Sequence, residues 1–428
     1  MNPAHPGHGH PFTPEEAERY VLSLERFGMR FELDRMRRLM TALGHPERAF
    51  ASIHVVGTNG KSSTTRMIAS ILGHHGLRTG TYLSPHLVSF GERIRIGERD
   101  LTATEFAAAI TRAARAAEMV NRALDADDHV TQFEALTAAA YSEMARQGVE
   151  SAVIEAGLGG RYDATNVIPS TVQVLTSVGL EHTRWLGPTL TAIAGEKLDV
   201  VQPSATLVLG SGLAPEVVAV AERVCAERGA RIVYAGTDPG VPVVGAAGAY
   251  QRRNFALARA AAEAFLEPAR ALDLTAVAAA AAEVRVPGRM EQLDSDPLTL
   301  LDVAHNPEGM RALTESLPEL SRGRAPVVAV VSVLDDKDAA GMLAELMPAC
   351  DRLVLTATQN PRVLPPATLK SLAAQLDGPP AEVLGDPWRA LARARELAAP
   401  DGLVVVTGSQ YLIGDLLAGA RRERASSL

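Results

Sequence analysis

Short apolar runs rich in β-branched residues alternate with long alanine-rich stretches along this chain, and that alternation leaves few folds open. The candidate strands are Ile53–Val56, Ala152–Ile154, Val172–Leu175, Leu207–Leu209, Leu298–Leu301, Val327–Val331, Leu353–Leu355 and Leu403–Val406. Helical sequence fills Thr64–His75, Thr104–Leu124, Phe133–Gln147 and Asn254–Leu266, where alanine loses no side-chain entropy on entering a helix. The pattern predicts an α/β protein, with parallel sheets covered by helices. A chain of 428 residues has room for two or three domains. After the helical "LTAVAAAAAEV", the segment "VRVPGRMEQLDSDP" brings two prolines, a glycine and several charges, and the alternation then restarts. We place a boundary near Pro287, with one domain over 1–287 and a smaller one over 288–428.

Composition narrows the function classes. The net charge is −8, which does not suggest a nucleic-acid partner. The two cysteines, Cys225 and Cys350, are far apart and form neither a disulfide framework nor a CxxC pair. That usage fits a reducing, cytoplasmic setting. No apolar run reaches the roughly eighteen residues of a membrane span, and no signal peptide is expected. The leader "NPAHPGHGHPF" reads either as a metal tract or, as we expect, as disordered chain. We find no internal repeat.

Between the first candidate strand and helix lies "HVVGTNGKSSTT", His54 to Thr65. Glycines three apart let backbone N–H groups approach an anion, and the helix N-terminus adds partial positive charge. Lys61 supplies a cation for phosphate, and a following hydroxyl can meet Mg²⁺. An ordinary tight turn needs neither a lysine nor four hydroxyls. The consensus G-x-x-x-x-G-K-[ST] would put its first glycine at position 55, which is Val55; Gly57 stands four before Lys61 instead. Two further strands end in polar groups. "AVIEAGLGGRYDATN" delivers Glu155, and "VQVLTSVGLEHT" delivers Glu181 and His182. Side chains at the carboxyl ends of parallel strands point into the crevice where ligands bind. Glu155 can be a Mg²⁺ ligand or a plain strand-end charge, and His182 a ligand or a structural histidine.

Together these segments resemble the Mur ligase superfamily of ATP-dependent amide-forming ligases, and most closely its folylpolyglutamate synthase and dihydrofolate synthase branch. "GTNGK", "YLSPHLVSFGERIRI", "EAGLGGRYDATN", "GLEHTRWLG", "IAGEK", "PGRME", "LDVAHNP" and "TGSQYLIGD" stand in that branch's order. The resemblance implies an N-terminal P-loop ATPase-type domain of the Mur central kind. A smaller, Rossmann-like glutamate-ligase domain would follow it. It implies that Thr58, Asn59, Gly60, Lys61, Ser62 and Ser63 hold ATP phosphates, with Asn254, Arg289, Asp302 and His305 also at the nucleotide. Ser84, Glu155 and His182 would bind Mg²⁺, two ions in all, and Lys197 would be N6-carbamylated. Lys61, Lys197 and His182 are then the catalytic set. Thr131, Phe133, Tyr162, Asp163 and Ala164 would contact a pterin, and Arg362 a glutamate carboxylate. Read alone, Ser84 before Pro85 is turn chemistry and Arg289 and Asp302 are ordinary charges. Lys197 reads as a surface lysine, Phe133 equally as core, and Arg362 as a solvated loop arginine.

The implied activity is ATP-dependent addition of L-glutamate to dihydropteroate, reduced folates or both, by a monomer. A ligase for another acid, such as a muramyl peptide, is the alternative within the class; the short segment before the phosphate loop speaks against its UDP-binding domain. A nucleotide-dependent binding module is the alternative outside it, and it would not need Ser84, Glu155, His182 and Lys197 together. Two departures stand out. The branch usually has glycine then serine after the loop lysine, where this chain has Ser62 and Ser63, so Ser63 is the hydroxyl expected to matter. After Lys197 comes "LDVVQP", and Asp199 has no family role.

Overall fold

The computed structural model describes residues 10–25, 28, 31–125, 127–267 and 269–418. The leader lies outside them up to Gly9. Its end is anchored: Phe12 is buried and its N–H donates to Thr111 Oγ1 at 2.8 Å.

The first sheet contains β1 (Ala51–Val56), β2 (Thr79–Tyr82), β3 (Ile94–Ile96), β4 (Arg99–Asp100), β5 (Ser151–Glu155), β6 (Val172–Leu175), β7 (Thr206–Leu209) and β8 (Arg231–Tyr234). Their order is β4-β3-β2-β5-β1-β6-β7-β8. All pairings are parallel except β2 with β3 and β3 with β4. β1 is central, with Val55 opposite Glu155 on β5 and Val56 opposite Leu175 on β6. A strand buried on both faces reads as a nearly continuous apolar run, which is why β1, β5 and β6 were legible. Ile53, Val55 and Val153 pack under Met67, Ile68 and Ile71 of the helix Lys61–His74 and under Phe255 of the helix Ala249–Leu266. Ala152 and Ile154 face the other way, toward the alanine-rich helices Ala103–Asn121 and Gln132–Arg146. Fully burying a Val, Leu or Ile contributes about 1.5–3 kcal/mol, so this sandwich fixes the carboxyl ends of β1, β5 and β6 against one another.

The second sheet contains β9 (Glu291–Ser295), β10 (Leu298–Leu301), β11 (Val327–Val331), β12 (Arg352–Leu355), β13 (Ala381–Val383) and β14 (Leu403–Thr407). The order is β13-β12-β11-β14-β10-β9, parallel except for the β9–β10 hairpin. Alternate residues feed two cores. Ala329, Val331 and Leu353 meet Met310 and Leu313, while Val328, Val330 and Val354 meet Leu391 and Leu412. Asp302 follows β10 directly, and its N–H donates to Val406 O at 2.9 Å.

Several helix ends depart from the expectation; the helix foreseen from Asn254 begins at Ala249. The helix foreseen from Thr64 begins at Lys61, capped by Gly60 at φ 84°. Glycine enters that left-handed region without steric cost. The loop can therefore close earlier than the apolar pattern indicates, and Lys61, Ser62 and Ser63 all lie in the first turn.

Candidate active site

The carboxyl ends of β1, β5 and β6 face the loops after β10 and β11 across a cavity of about 830 Å³. On one wall is the phosphate loop. Thr58 N–H donates to Ser177 O at 2.8 Å and Asn59 N–H to Ser177 Oγ at 2.8 Å. Thr176 Oγ1 donates to Asn59 O at 2.6 Å. The turn after β6 thus holds the loop from below. Lys61 Nζ donates to Gly57 O and Thr58 O, both at 3.1 Å, so the ammonium is folded across the loop's mouth.

Glu155 ends β5 beside this loop and is buried. Ser62 Oγ donates to its Oε1 at 2.9 Å and Ser84 N–H to its Oε2 at 3.2 Å. Burial pushes the Glu155 carboxyl up to about 7, against the pull of Lys61, Ser84, Ser62 and Arg289. A buried carboxylate between two hydroxyl-bearing residues in a phosphate cavity suits a divalent cation, whose charge would keep it ionised. Ser63 also lines the cavity, and its hydroxyl is buried with no protein partner. Of the two serines, Ser62 is the one whose hydroxyl reaches Glu155. Among the described residues no three His, Cys, Asp or Glu side chains form a metal-binding group.

His182 follows β6 in a left-handed conformation, φ 53°. Its side chain is 40% exposed, yet desolvation at the cavity wall lowers its imidazole to about 4, with Glu181 opposing and Lys337, Lys61 and Lys197 adding to the effect. It is therefore neutral at pH 7, the form able to ligate a metal. Its neighbour Glu181 is the most heavily engaged carboxylate in the cavity. Lys337 Nζ lies 2.8 Å from its Oε1, His305 Nε2 3.3 Å from the same oxygen, and Asn306 Nδ2 3.3 Å from Oε2. Burial opposes ionisation there, but His305, Lys337 and His182 outweigh it and hold the carboxyl well below the usual range.

Lys197, near the end of the helix Leu190–Leu198, is buried rather than on the surface. Its Nζ donates to Gly57 O at 2.9 Å. Burial first, and then Lys61, bring its ammonium down to about 7. Asp199, which had no role by sequence, ion-pairs with Arg228 at 2.6 Å and Arg161 at 3.4 Å. It ties the end of this helix to the loop carrying Tyr162.

The nucleotide candidates converge from both sheets. Asn254 and Arg289 line the cavity with Asp302 and His305. Asp302 is buried, and accepts from Tyr250 Oη at 2.6 Å, Met290 N–H at 3.0 Å and Ala304 N–H at 2.9 Å. Arg362 also faces the cavity, with Nη1 3.8 Å from Asp336.

The pterin candidates divide. Phe133 stacks toward Tyr82 with ring centroids 6.0 Å apart, and a Cβ on Gly157 would stand 2.6 Å from its Cζ. It therefore packs behind Gly157, which lines the cavity. Tyr162 is exposed, near Phe31 at 6.5 Å, and Phe31 in turn meets Trp185 at 5.3 Å. Thr131 instead caps the helix Gln132–Arg146 in a box with Glu134. Asp163 is buried and accepts from Leu158 N–H at 2.7 Å and Thr165 Oγ1 at 2.5 Å, holding its own loop in place. Ala164 is core. Sequence reading missed Lys337, Asn306 and Tyr250, and gave Glu181 no role. Asn306 before Pro307 carries an N-cap signal; nothing in "DDKD" marks Lys337.

A phosphate loop facing a buried carboxylate, with a second α/β layer supplying cations across the cleft, defines an ATP-dependent ligase of the Mur type. Residues 288–410 match the family described as Mur ligase, glutamate ligase domain. The dihydrofolate synthase/folylpolyglutamate synthase of Mycobacterium tuberculosis is 35% identical over 81% of this chain and 78% of its own. The folylpolyglutamate synthase of Lacticaseibacillus casei is 33% identical over 93% and 96%. Among solved structures, M. tuberculosis folylpolyglutamate synthase complexed with ADP superposes with a TM-score of 0.87 at 31% identity, over 96% of this chain and 99% of that one. E. coli FolC in complex with DHPP and ADP gives 0.84 at 27%, over 98% and 100%. The chain belongs to the folylpolyglutamate synthase/dihydrofolate synthase family, and is an ATP-dependent ligase of folate metabolism.

Proposed function

We propose that the protein joins L-glutamate to both dihydropteroate and reduced folates through an acyl phosphate. The observation that carries the reading is the single cavity in which Lys61 and Glu155 of the first sheet face Arg362 and Lys337 of the second. A carboxylate must be activated before an amine can displace its oxygen. The acceptor carboxylate attacks the γ-phosphorus of ATP in line, ADP leaves, and an acyl phosphate forms. Lys61 and the phosphate-loop N–H groups offset negative charge on the transferring group. Arg362 orients glutamate by its carboxylate, a planar fork meeting a planar anion. The glutamate amine, once it has lost its proton, attacks the acyl carbon and phosphate departs, leaving an amide. Mg²⁺ held at Ser62, Ser84, Glu155 and His182 would supply further charge neutralisation. The cover of the second domain keeps water from the acyl phosphate.

Two finer points belong to this reading. Phe133 and Tyr162 offer the aromatic surface for the pterin, with Thr131, Asp163 and Ala164 shaping the loops that carry them. Lys197 is N6-carbamylated. Carbamylation needs an uncharged amine, and burial at about 7 provides one near neutral pH. As a carbamate the side chain becomes an anion able to support a second Mg²⁺. Lys197→Ala is then nearly inactive yet still binds ATP, with partial rescue by acetate or formate. A bare Lys197 amine in high-resolution density of fully active protein overturns the carbamate. The acceptor assignment is tested by ADP release with dihydropteroate and tetrahydrofolate side by side. ADP release should require L-glutamate and either acceptor; glutamate addition to tetrahydrofolate alone would reduce the enzyme to polyglutamylation.

A further inference from the structure

Several contacts cross the cleft, Tyr250 to Asp302 and Asn59 to Asn306 among them, and three meet on one carboxylate. Glu181 belongs to the turn after β6, whose Ser177 and Gly179 hold the phosphate loop; Thr58 Oγ1 accepts from Gly179 N–H at 3.0 Å. Three groups of the second domain reach Glu181: Lys337, His305 and Asn306. Glu181 and Lys337 are only 11% and 13% exposed, with Nζ and Oε1 2.8 Å apart. The Lys337 loop is in turn tied to the loop of Arg362. Asp335 N–H donates to Arg362 O at 2.8 Å, and Leu334 and Val363 form an antiparallel bridge. A continuous set of contacts therefore runs from the phosphate loop through Glu181 and Lys337 to Arg362.

We propose that Glu181 and Lys337 form a clasp that seats the second domain on the phosphate loop, making Lys337 a positioning residue for the glutamate-binding step. The proposal rests on the ligase reading above, in which Arg362 meets glutamate. The clasp explains why a lysine stands where one cation more would not be needed for ATP: its partner is a protein carboxylate, and its loop carries the arginine. A salt bridge this enclosed is weakly screened, and truncating one partner leaves the other charge poorly compensated. Loss of the clasp lets the Arg362 loop drift from the γ-phosphate region while the phosphate loop itself stays intact.

The test uses the full-length protein with Lys337→Met, Glu181→Gln, the double variant and Lys337→Arg. Each single variant should raise KM for L-glutamate about tenfold, with ADP affinity within about twofold of wild type. The double variant should be no worse than the poorer single one, because both remove one interaction. Lys337→Arg keeps the charge and should recover most of the loss. Small-angle scattering of the ADP-bound protein needs no turnover, and should show a larger radius of gyration for Lys337→Met than for wild type. An unchanged KM in folded Lys337→Met, multiplying losses in the double variant, or Lys337→Arg as impaired as Lys337→Met overturns the clasp. If wild type shows no glutamate-dependent ADP release, the ligase reading fails. The scattering comparison then decides the clasp by itself, an unchanged radius overturning it.

Discussion

Two lysines donate to the same carbonyl: Lys61 Nζ lies 3.1 Å and Lys197 Nζ 2.9 Å from Gly57 O. Two ammonium groups around one oxygen repel each other, and the more buried of them is the one whose charge is suppressed. Lys61 remains the cation for phosphate. Lys61→Ala should lower kcat about a hundredfold or more, on the order of 3 kcal/mol in the barrier; near-normal turnover in a folded variant would remove the phosphate-loop assignment. The serines separate by geometry as well. Ser62→Ala deletes the hydroxyl on Glu155 and should lower turnover and raise the magnesium concentration needed for half-maximal rate. Ser63→Ala removes a hydroxyl with no protein partner and should leave both nearly unchanged, the reverse of what the family's spacing suggested. His54 gives a stability prediction. It is fully enclosed, its Nε2 2.8 Å from Thr165 Oγ1, and burial lowers its imidazole to about 3. The unfolded chain binds a proton below about 6.5, where the folded chain does not. Stability is therefore lost as pH falls from about 6.5 toward about 3. At pH 5 the loss is about 2 kcal/mol, and His54→Gln should flatten it in pH-dependent thermal melts.

At the scale of elements, legibility followed burial. β1, β5, β6, β7 and the central strands of the second sheet are buried on both faces and mostly apolar, and each was readable as a short apolar run. β9, with the sequence EQLDS, is an exposed edge; nothing in its composition distinguishes it from a linker. β2 is TGTY, buried throughout yet without an aliphatic side chain. The cavity's lining was legible where a strand or the loop after it delivers a residue to the sheet's carboxyl edge, as with Lys61, Glu155 and His182. It was not legible where the residue works through a partner far away in sequence, as with Lys337 and Glu181. Thr131 carries a second signal beside the family's: the local pattern T-x-x-E is a capping box, and the structure forms it. Its hydroxyl accepts from Glu134 N–H at 3.3 Å, and Glu134 also pairs with buried Arg35 at 3.1 Å. Thr131→Ala should cost about 1 kcal/mol of stability, and Thr131→Ser, which keeps the cap, should restore it. Equilibrium denaturation checks both; a Thr131→Ala protein as stable as wild type would return this residue to the acceptor site.

For the whole molecule, the question is how two separately cored sheets act as one enzyme. Beside the Glu181 contacts, the seam contains an amide pair. Asn59 Nδ2 donates to Asn306 Oδ1 at 3.1 Å, and Asn306 Nδ2 donates back to Asn59 Oδ1 at 3.0 Å. The same Asn306 oxygen accepts from Gly309 N–H at 2.8 Å, capping the helix Pro307–Ser321. One side chain therefore starts a helix of the second domain and touches the phosphate loop of the first. Asn306→Asp separates these duties. A carboxylate caps a helix as well as an amide does, so the helix and its domain should stay folded. It cannot donate to Asn59, and it places a second negative charge where Asn306 Nδ2 now stands 3.3 Å from Glu181 Oε2. Repulsion between the two carboxylates opens the seam from within. An open seam admits water to the acyl phosphate, so ATP is consumed without amide formation. Asn306→Asp should therefore lower glutamate ligation and raise the ratio of ADP released to amide formed above that of wild type, with thermal stability nearly unchanged. Simultaneous measurement of both products checks it. A variant that slows both products equally, with their ratio held at the wild-type value, would mean that the seam orients substrates without excluding water.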